Sequence, residues 1–448
     1  MTSGELALTI LWRIETRKSY ANILIVSKLN NHTLSRSDRN LVTLLVNGVQ
    51  RNRNLLDFII SRWSKISLRK MSPWIRNLLR QGVYQLVLIK KVRDDIVVNE
   101  SVKLAHKYGH RGSVSFVNAI LRQVARSLNK EDPLKQLPSL QDDALYHLTV
   151  AYSHPEWIIR RWLARYGTEA TASICEYNNQ IPSLVIRYNK VKDSGSCKDE
   201  ILHEQLEGAI PSPFVKDAFT VKGPRPMYAQ DVYKNGFIDV LGLSSMIMVN
   251  LLQVKQGQNV LDACAGRGGK TNYICALMEN KGLVIATDIY LQKLVQLKKN
   301  ALRLGSNIQS VICCDLCTTL PFGSIFDRIL VDAPCSSLGV LNHHPEIRWL
   351  RKEEDIVALS KIQKSILSRA GEKLRQGGGL LYCTCTLEPE ETDHVILDFM
   401  EKHPTWRIKD LKETVSPLLK DAVSDDGMLR LIPGIWATDG FFACYIQR

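Results

Sequence analysis

From about residue 236 the sequence alternates short apolar runs with amphipathic stretches, and four of these runs lead to an acid. The runs NVLDACA, GLVIATDI, IQSVICCD and FDRILVD carry Asp262, Asp288, Asp315 and Asp332. GGLLYCTC and GFFACYIQ predict two further strands. Strands separated by helices form a doubly wound parallel sheet, which binds ligands at the carboxyl ends of its strands. The second half of the chain is therefore predicted to be an α/β domain with acids lining its ligand crevice.

Residues 1 to about 130 show a different pattern, because their apolar residues recur at spacings of three and four. SDRNLVTLLVNGVQRNRNLLDFII and PWIRNLLRQGVYQLVLI are examples, and this periodicity predicts helices. Ser37 with Asp38, and Ser72 with Pro73, are predicted helix starts. The stretch 145–235 mixes a helix with extended segments. We therefore predict three domains: an all-α domain over 1–130, a connecting α+β segment over 145–235 and the α/β domain over 236–448.

Positive charge is concentrated in the first third of the chain. The net charge is +14; residues 1–150 hold 24 Lys and Arg against 11 Asp and Glu, whereas residues 151–448 hold 35 against 34. Clustered positive charge suits a polyanion, because each neutralised phosphate releases counterions. A domain that is merely basic and soluble is the alternative, and the charge favours nucleic acid over it.

All 11 cysteines follow residue 150, and their number is odd. Because the N-terminus also lacks the pattern of a signal peptide, we expect reduced thiols in a cytoplasmic protein. No run of about 18 apolar residues predicts a membrane span. Cys314 and Cys317 have the spacing of metal ligands, but Cys383 and Cys385 form a poor second pair, so no metal site is expected. We expect a monomer.

The turn CAGRGGKT, residues 264–271, follows the first predicted strand of the α/β domain. It matches neither a P-loop nor the G-x-G-x-x-G fingerprint. Its glycines still let the backbone approach a ligand at a helix N-terminus. Asp288, at the end of the second strand, suits a carboxylate that accepts from ribose hydroxyls, and Asp315 is predicted near an adenine. These features predict a nucleoside cofactor and leave NAD and S-adenosylmethionine both open.

Two cysteines follow neighbouring predicted strands, Cys335 after the fourth and Cys385 after the fifth. A single buried cysteine is usually inert packing. A pair beside a cofactor suits cytosine, whose carbon 5 becomes nucleophilic once a thiolate has added to carbon 6. Asp332 is placed to hydrogen-bond N3 of such a base, which would favour that addition. The pair therefore favours S-adenosylmethionine over NAD.

Four blocks of the α/β half, DAPCSSLGV, HPEIRW, CTCTLEPEE and DGFF, resemble the signature motifs of the RNA (cytosine-5) methyltransferases. In the first half, SDRNLVTLLVNGVQRNRNLLD, VNESVKLAH and FVNAILRQVAR resemble a NusB-like RNA-binding domain. YSHPEWIIRRWLARYG and SLVIRYN resemble the family's connecting segment. Nearly the whole chain is similar to the bacterial Sun/Fmu-type small-subunit ribosomal RNA methyltransferases. The resemblance implies a Rossmann-like methyltransferase domain, S-adenosylmethionine as cofactor and ribosomal RNA as partner.

The resemblance also assigns roles to residues of this sequence. It makes Cys385 the nucleophile at carbon 6, Cys335 the residue that assists product release, and Asp332 a residue between the methionine and the base. It implies that Asp288 binds the ribose of the cofactor and that Asp315 binds its adenine. The remaining predicted cofactor residues form the turn: Cys264, Ala265, Gly266, Arg267, Gly268, Gly269 and Lys270.

The sequence departs from the family pattern at two places. Gly266 and Arg267 replace the usual Ala-Pro of the turn, and LGLSSM has Gly242 where the family often has an acid. Both departures concern cofactor affinity rather than the type of reaction. Two other readings stay open: a descendant that binds ribosomal RNA without catalysis, and an NAD-dependent dehydrogenase. A scaffold needs neither thiol, and a dehydrogenase leaves the thiols and the basic domain unexplained.

Overall fold

In a computed structural model of the chain, the described residues are 1–128, 133–193, 208–221, 227, 230–318 and 322–448. They form two compact units, one of residues 1–181 and 341–352, the other of residues 182–340 and 353–448. The predicted domain boundary near residue 130 lies outside the described residues.

The first unit is helical, as the periodicity predicts. Its helices of eight or more residues are α1 (Ser3–Arg17), α2 (Ala21–Asn30), α3 (Arg36–Arg51), α4 (Arg53–Trp63), α5 (Pro73–Tyr84), α6 (Asp94–Tyr108), α7 (Arg111–Leu128), α8 (Ala144–Ala151) and α9 (Glu156–Asn179). A π-helical turn, Gln85–Ile89, continues α5. One face of each of α1 and α3 to α7 enters a shared apolar core, which includes Leu8, Leu45, Leu79 and Val117.

Capping residues set the starts of two of these helices. Ser72 accepts from the Ile75 N–H with Pro73 in the first turn, so the predicted start of α5 is confirmed. Helix α3 begins at Arg36, slightly before its predicted start, because Ser35 is the cap. The Ser35 hydroxyl accepts from Asp38 N at 3.1 Å and donates to the Asp38 carboxylate at 2.6 Å.

A segment distant in sequence, residues 341–352, folds within the helical unit. Its Arg348 is fully buried. The Arg348 guanidinium donates to Ser153 O and to Asn179 Oδ1, both at 3.0 Å, and to Asn178 O at 3.2 Å. Burial lowers the pKa of Arg348 to about 9. The sequence pattern had placed HPEIRW within residues 236–448, but this motif contacts the helices.

Two further side chains of the segment are held in the same unit. The buried Glu346 carboxylate accepts from Ala21 N at 3.0 Å, at the start of α2. Trp349 Nε1 donates to Gln50 O at 2.7 Å, and the Arg53 guanidinium lies 4.9 Å from the Trp349 ring centroid. The segment is therefore tied to several separate helices of the unit.

The second unit contains two sheets. The smaller is antiparallel with strand order β2-β3-β1-β4, formed by β1 (Leu184–Tyr188), β2 (Ile210–Pro211), β3 (Ala218–Val221) and β4 (Ile238–Val240). The larger sheet comprises β5 (Asn259–Asp262), β6 (Leu283–Asp288), β7 (Ser310–Cys313), β8 (Phe326–Asp332), β9 (Leu374–Thr384), β10 (Arg407–Lys409), β11 (Leu429–Leu431) and β12 (Phe441–Gln447).

The larger sheet confirms the predicted doubly wound arrangement. Its order is β10-β12-β9-β8-β5-β6-β7, with β11 paired to β12. Strands β5 to β9 run parallel, whereas β12 is antiparallel to β9 and so makes the sheet mixed. The helices of this unit are α10 (Asp231–Lys234), α11 (Leu243–Leu251), α12 (Gly269–Leu277), α13 (Leu291–Leu304), α14 (Glu353–Gly371) and α15 (Asp393–Lys402). Crossover helices between parallel strands leave the carboxyl ends of those strands at one edge.

Candidate functional site

The glycine-rich turn joins β5 to α12 and is closed by hydrogen bonds to β6 and its carboxylate. Gly266 has φ +56° and Gly268 φ +85°, a region that favours glycine. Gly266 N donates to Asp288 Oδ2 at 3.0 Å, and Ala265 N donates to Thr287 O at 2.8 Å. Apart from Gly266 and its two chain neighbours, no atom of the described residues lies within 4 Å of where a Cβ on Gly266 would stand, so this part of the turn is open to a ligand.

Asp288 ends β6 and is only 7% exposed. Its Oδ1 accepts from Tyr290 N at 2.8 Å, so both carboxylate oxygens are held by backbone donors. Ile289, Tyr290 and Leu291, which follow it, are large apolar side chains that are all more than half exposed. A buried carboxylate beside an exposed apolar surface fits the ribose and the base of a nucleoside. This apolar triplet was not predicted from the sequence, where its signal is an apolar run directly after the strand-end acid.

Asp315 and Arg267 lie in exposed turns. Asp315 follows β7, and its Oδ1 accepts from Cys317 N at 2.9 Å. The Arg267 carbonyl accepts from Asn300 Nδ2 at 3.2 Å, while its side chain is exposed. Cys264 is more enclosed, and burial with the nearby acids raises its thiol pKa well above the ordinary value. Cys264 is therefore a packing residue of the turn rather than a reactive thiol.

Asp332 ends β8 and pairs with a lysine of the turn. Lys270 Nζ lies 2.5 Å from Asp332 Oδ2, and Cys383 Sγ is 3.5 Å from Asp332 Oδ1. Burial lowers the pKa of Lys270, but the charge and hydrogen bond of Asp332, together with the Cys383 and Cys385 thiols, more than offset burial and raise the pKa above its ordinary value. Asp262, fully buried on the neighbouring β5, accepts from the Thr271 hydroxyl at 2.6 Å. Burial raises the pKa of Asp262 to about 7.

The two predicted cysteines meet at the ends of adjacent strands. Cys335 follows β8 and Cys385 follows β9, and their Sγ atoms are 3.1 Å apart. Ser337 Oγ lies 3.5 Å from Cys385 Sγ. Cys335 is buried, whereas Cys385 is partly exposed. The register that pairs Asp332 with Cys383 brings these strand ends together.

The contact between the thiols distinguishes them electrostatically. The hydrogen bond from Cys335 lowers the pKa of Cys385, and the Ser337 hydroxyl adds to this effect against the opposing influence of burial. The same hydrogen bond and burial raise the pKa of Cys335 well above its ordinary value. Cys385 is thus the thiol that ionises, with Cys335 as its proton-bearing neighbour, and a thiolate is the nucleophilic form of cysteine.

A buried carboxylate that the sequence analysis missed lies behind the two thiols. Glu391 is fully buried in the short 3₁₀ turn Pro389–Glu391. Its oxygens accept from Ser336 N at 2.8 Å, from the Ser336 hydroxyl at 2.5 Å and from Gln363 Nε2 at 3.0 Å. The only local signal was the acidic pair that closes CTCTLEPEE.

Membrane-spanning helices and clusters of metal ligands are both absent from the described part of the chain. No helix there has both the length and the apolar character needed to cross a membrane. Nor do those residues contain a group of three or more His, Cys, Asp or Glu side chains that could hold a metal ion.

Comparison with family descriptions assigns most of the chain. Residues 249–447 match the family described as 16S rRNA methyltransferase RsmB/F. Residues 1–126 match the NusB family, and residues 154–228 match the ferredoxin-like domain of RsmF/B-like methyltransferases.

Two curated relatives and one solved structure match over nearly the full length. A probable ribosomal RNA small subunit methyltransferase B of Bacillus subtilis is 34% identical, covering 99% of this chain and 98% of the relative. A protein of the same name from Synechocystis is 30% identical over 100% of both chains. The crystal structure of PH0851 superposes with a TM-score of 0.82 at 24% identity, over 100% of this chain and 98% of that one, which shows a shared fold.

Proposed function

Because the chain belongs to the RsmB/F family of 16S ribosomal RNA methyltransferases, we propose that it methylates carbon 5 of a cytosine in 16S ribosomal RNA. Family membership makes it an S-adenosylmethionine-dependent ribosomal RNA methyltransferase with a NusB-like helical domain. The choice of cytosine and the covalent route are our inference. The observation that supports them best is the pair of thiols 3.1 Å apart at the ends of β8 and β9.

Cys385 acts as the nucleophile. Its Sγ, as thiolate, bonds to carbon 6, and the electron pair of the carbon 5–carbon 6 double bond makes carbon 5 nucleophilic. Bound S-adenosylmethionine supplies the methyl group that carbon 5 takes. A water molecule then takes the proton from carbon 5, the electron pair of that C–H bond re-forms the double bond, and the bond from Sγ to carbon 6 breaks with its electron pair returning to sulfur. Each step is easier than direct methylation of the unactivated ring.

Cys335 and Asp332 serve the same base. Cys335 assists release of the methylated product, since its thiol hydrogen-bonds the sulfur that departs from carbon 6. Asp332 lies between the methionine and the base, where a proton shared by its carboxyl group and N3 neutralises the charge that thiolate addition places on the ring, while Lys270 contacts its second oxygen.

The glycine-rich turn that leads into α12 and the acids at the ends of β6 and β7 bind the cofactor. The turn from Cys264 to Lys270 wraps it, and its open face at Gly266 fits the approach of a ligand. Asp288 binds the ribose hydroxyls and Asp315 the adenine. The departure at Gly266 and Arg267 is compatible with this role, because Gly266 N still donates to Asp288 and the Arg267 side chain points to solvent.

The domain assignment follows the sequence prediction: a NusB-like RNA-binding domain over 1–130, a connecting RNA-binding segment over 145–235 and the methyltransferase domain over 236–448. The excess positive charge of residues 1–150 supports RNA binding by the helical domain. We propose a monomer, since one chain contains every residue of the proposed site.

The test is adduct trapping with purified 16S ribosomal RNA and labelled S-adenosylmethionine. Cys335→Ala should accumulate a protein–RNA species that survives a denaturing gel and requires cofactor, because attack proceeds while release stalls. Cys385→Ala and the double variant should form none. Bisulfite sequencing of the product should find 5-methylcytosine. An adduct in Cys385→Ala with none in Cys335→Ala would reverse the two roles, and methylation in both variants without an adduct would overturn the covalent mechanism.

A further inference from the structure

The loop that follows β8 and the loop that follows β9 are joined through one buried side chain. The Glu391 carboxylate binds both the backbone and the hydroxyl of Ser336, the residue directly after Cys335. The Ser336 hydroxyl also lies 3.0 Å from Thr386 Oγ1, and Thr386 directly follows Cys385. The residues that directly follow the two cysteines, Ser336 and Thr386, thus belong to one hydrogen-bonded cluster with Glu391.

Two more buried groups complete this cluster. Gln363, on α14, uses Nε2 to reach both Glu391 Oε1 and Pro334 O, at 3.0 and 2.9 Å. The Tyr382 hydroxyl donates to the Glu391 carbonyl at 2.7 Å. Glu391, Ser336, Gln363 and Tyr382 are all excluded from solvent. Such a carboxylate costs free energy to bury, and the three hydrogen bonds that it accepts from Ser336 and Gln363 offset that cost.

We propose that Glu391 is a positioning residue, whose carboxylate fixes the turn of Cys335 against the strand end of Cys385 and so holds the two thiols in contact. The proposal rests on the proposed function for its catalytic meaning, but the geometry it predicts is independent of the RNA. Among the hydrogen bonds described above, Glu391 makes none to either thiol, so it positions them through Ser336 and Thr386, while its charge also acts on Cys335. Side chains locked in this way can keep reacting groups aligned to a fraction of an ångström.

The experiment compares Glu391→Ala, Glu391→Gln and wild type in the full chain. Glu401→Gln, an exposed carboxylate on α15, makes the same chemical change outside the cluster and is the matched control. In Glu391→Ala, kcat should fall about 10- to 100-fold, as expected for a small misplacement of reacting groups. The KM for S-adenosylmethionine should stay unchanged, because the turn at Gly266 and Asp288 is untouched.

The second measurement needs no substrate. The rate of Cys385 alkylation by iodoacetamide is followed against pH by peptide mass spectrometry. Cys335, Ser337, Asp332 and Lys270 surround Cys385 and set its ionisation. The pH at which the alkylation rate reaches half its maximum is the midpoint. Loss of the Cys335 contact in Glu391→Ala should raise this midpoint toward the ordinary thiol pKa of about 8.5. Glu391→Gln keeps one acceptor oxygen for Ser336 N and Gln363. Its kcat and its alkylation midpoint should therefore lie closer to the wild-type values than those of Glu391→Ala.

A folded Glu391→Ala with wild-type kcat and alkylation midpoint would overturn the proposal. So would equal loss of kcat and melting temperature in Glu391→Ala and Glu391→Gln with an unchanged Cys385 midpoint, since that pattern describes a purely structural residue. If Glu391→Ala does not fold, Ser336→Ala decides, because it removes one donor and the link to Thr386. An altered midpoint in an enzyme that does not methylate cytosine would support the positioning role and refute only the proposed function.

Discussion

The edge of the larger sheet at the carboxyl ends of its parallel strands has two halves, and different interactions hold the site residues in each. On the cofactor side, at β5 and β6, backbone N–H groups of Gly266 and Tyr290 hold the Asp288 carboxylate. On the thiol side, at β8 and β9, buried side chains fix the loops, with Glu391 and Ser336 at their centre. Where the donors are backbone N–H groups, the site depends on chain conformation and tolerates side-chain changes at the residues that donate. A site built from side chains depends on the identity of each residue, and this difference can be tested by substitution.

The largest effect is expected on the thiol side. Cys385→Ser should lower methylation by at least about 1,000-fold, because a hydroxyl at this position is scarcely ionised at neutral pH. Cofactor affinity, measured by calorimetry, should stay within about twofold of wild type. Comparable loss of cofactor binding would show that the two sides are not separate.

On the cofactor side, Asp288→Ala should weaken S-adenosylmethionine binding by about 10- to 100-fold, the effect of losing hydrogen bonds to a charged group. The alkylation rate of Cys385 should not change, since the thiol contacts lie on other strands. Unchanged affinity in calorimetry would remove Asp288 from the cofactor site.

A smaller effect concerns pH. Because the hydrogen bond from Cys335 lowers the pKa of Cys385, the thiolate of Cys385 is present at lower pH than in an ordinary cysteine. Cys335→Ala removes this donor, so the Cys385 pKa should rise and its alkylation at pH 7 should slow about tenfold. A midpoint equal to that of wild type would show that Cys335 does not tune the nucleophile.

The smallest effect is expected for Arg267→Pro. Proline fits only a turn whose backbone already has a suitable φ, and there it lowers the ordering cost. Because the Arg267 side chain is exposed, cofactor affinity should stay within about threefold of wild type or improve. A large loss of cofactor affinity would show that the Arg267 side chain itself takes part in cofactor binding. It would also weaken the contrast between the cofactor side and the thiol side.

The strand-end positions on both sides could be predicted from the sequence, whereas the contacts that support them could not. The acids, the glycine turn and both thiols stand at strand ends, and strand ends are read from local patterns such as FDRILVD. Glu391 was not found, because its partner Ser336 lies 55 positions away and no periodicity relates them. The burial of Arg348 among helices was missed for the same reason, since its partner Ser153 lies 195 positions earlier. Local pattern identifies the reacting groups, and long-range packing determines what holds them.

The burial of residues 341–352 among the helices limits how this chain can be shortened or evolve. A fragment that lacks residues 1–181 would leave the Arg348 guanidinium, the Glu346 carboxylate and the Trp349 indole without the partners described above. The helical part is therefore not an interchangeable module, since gaining or losing it requires substitutions in residues 341–352, far away in the sequence. Across related sequences, substitutions at Asn179 and at Arg348 should accordingly occur together, although 169 positions separate them.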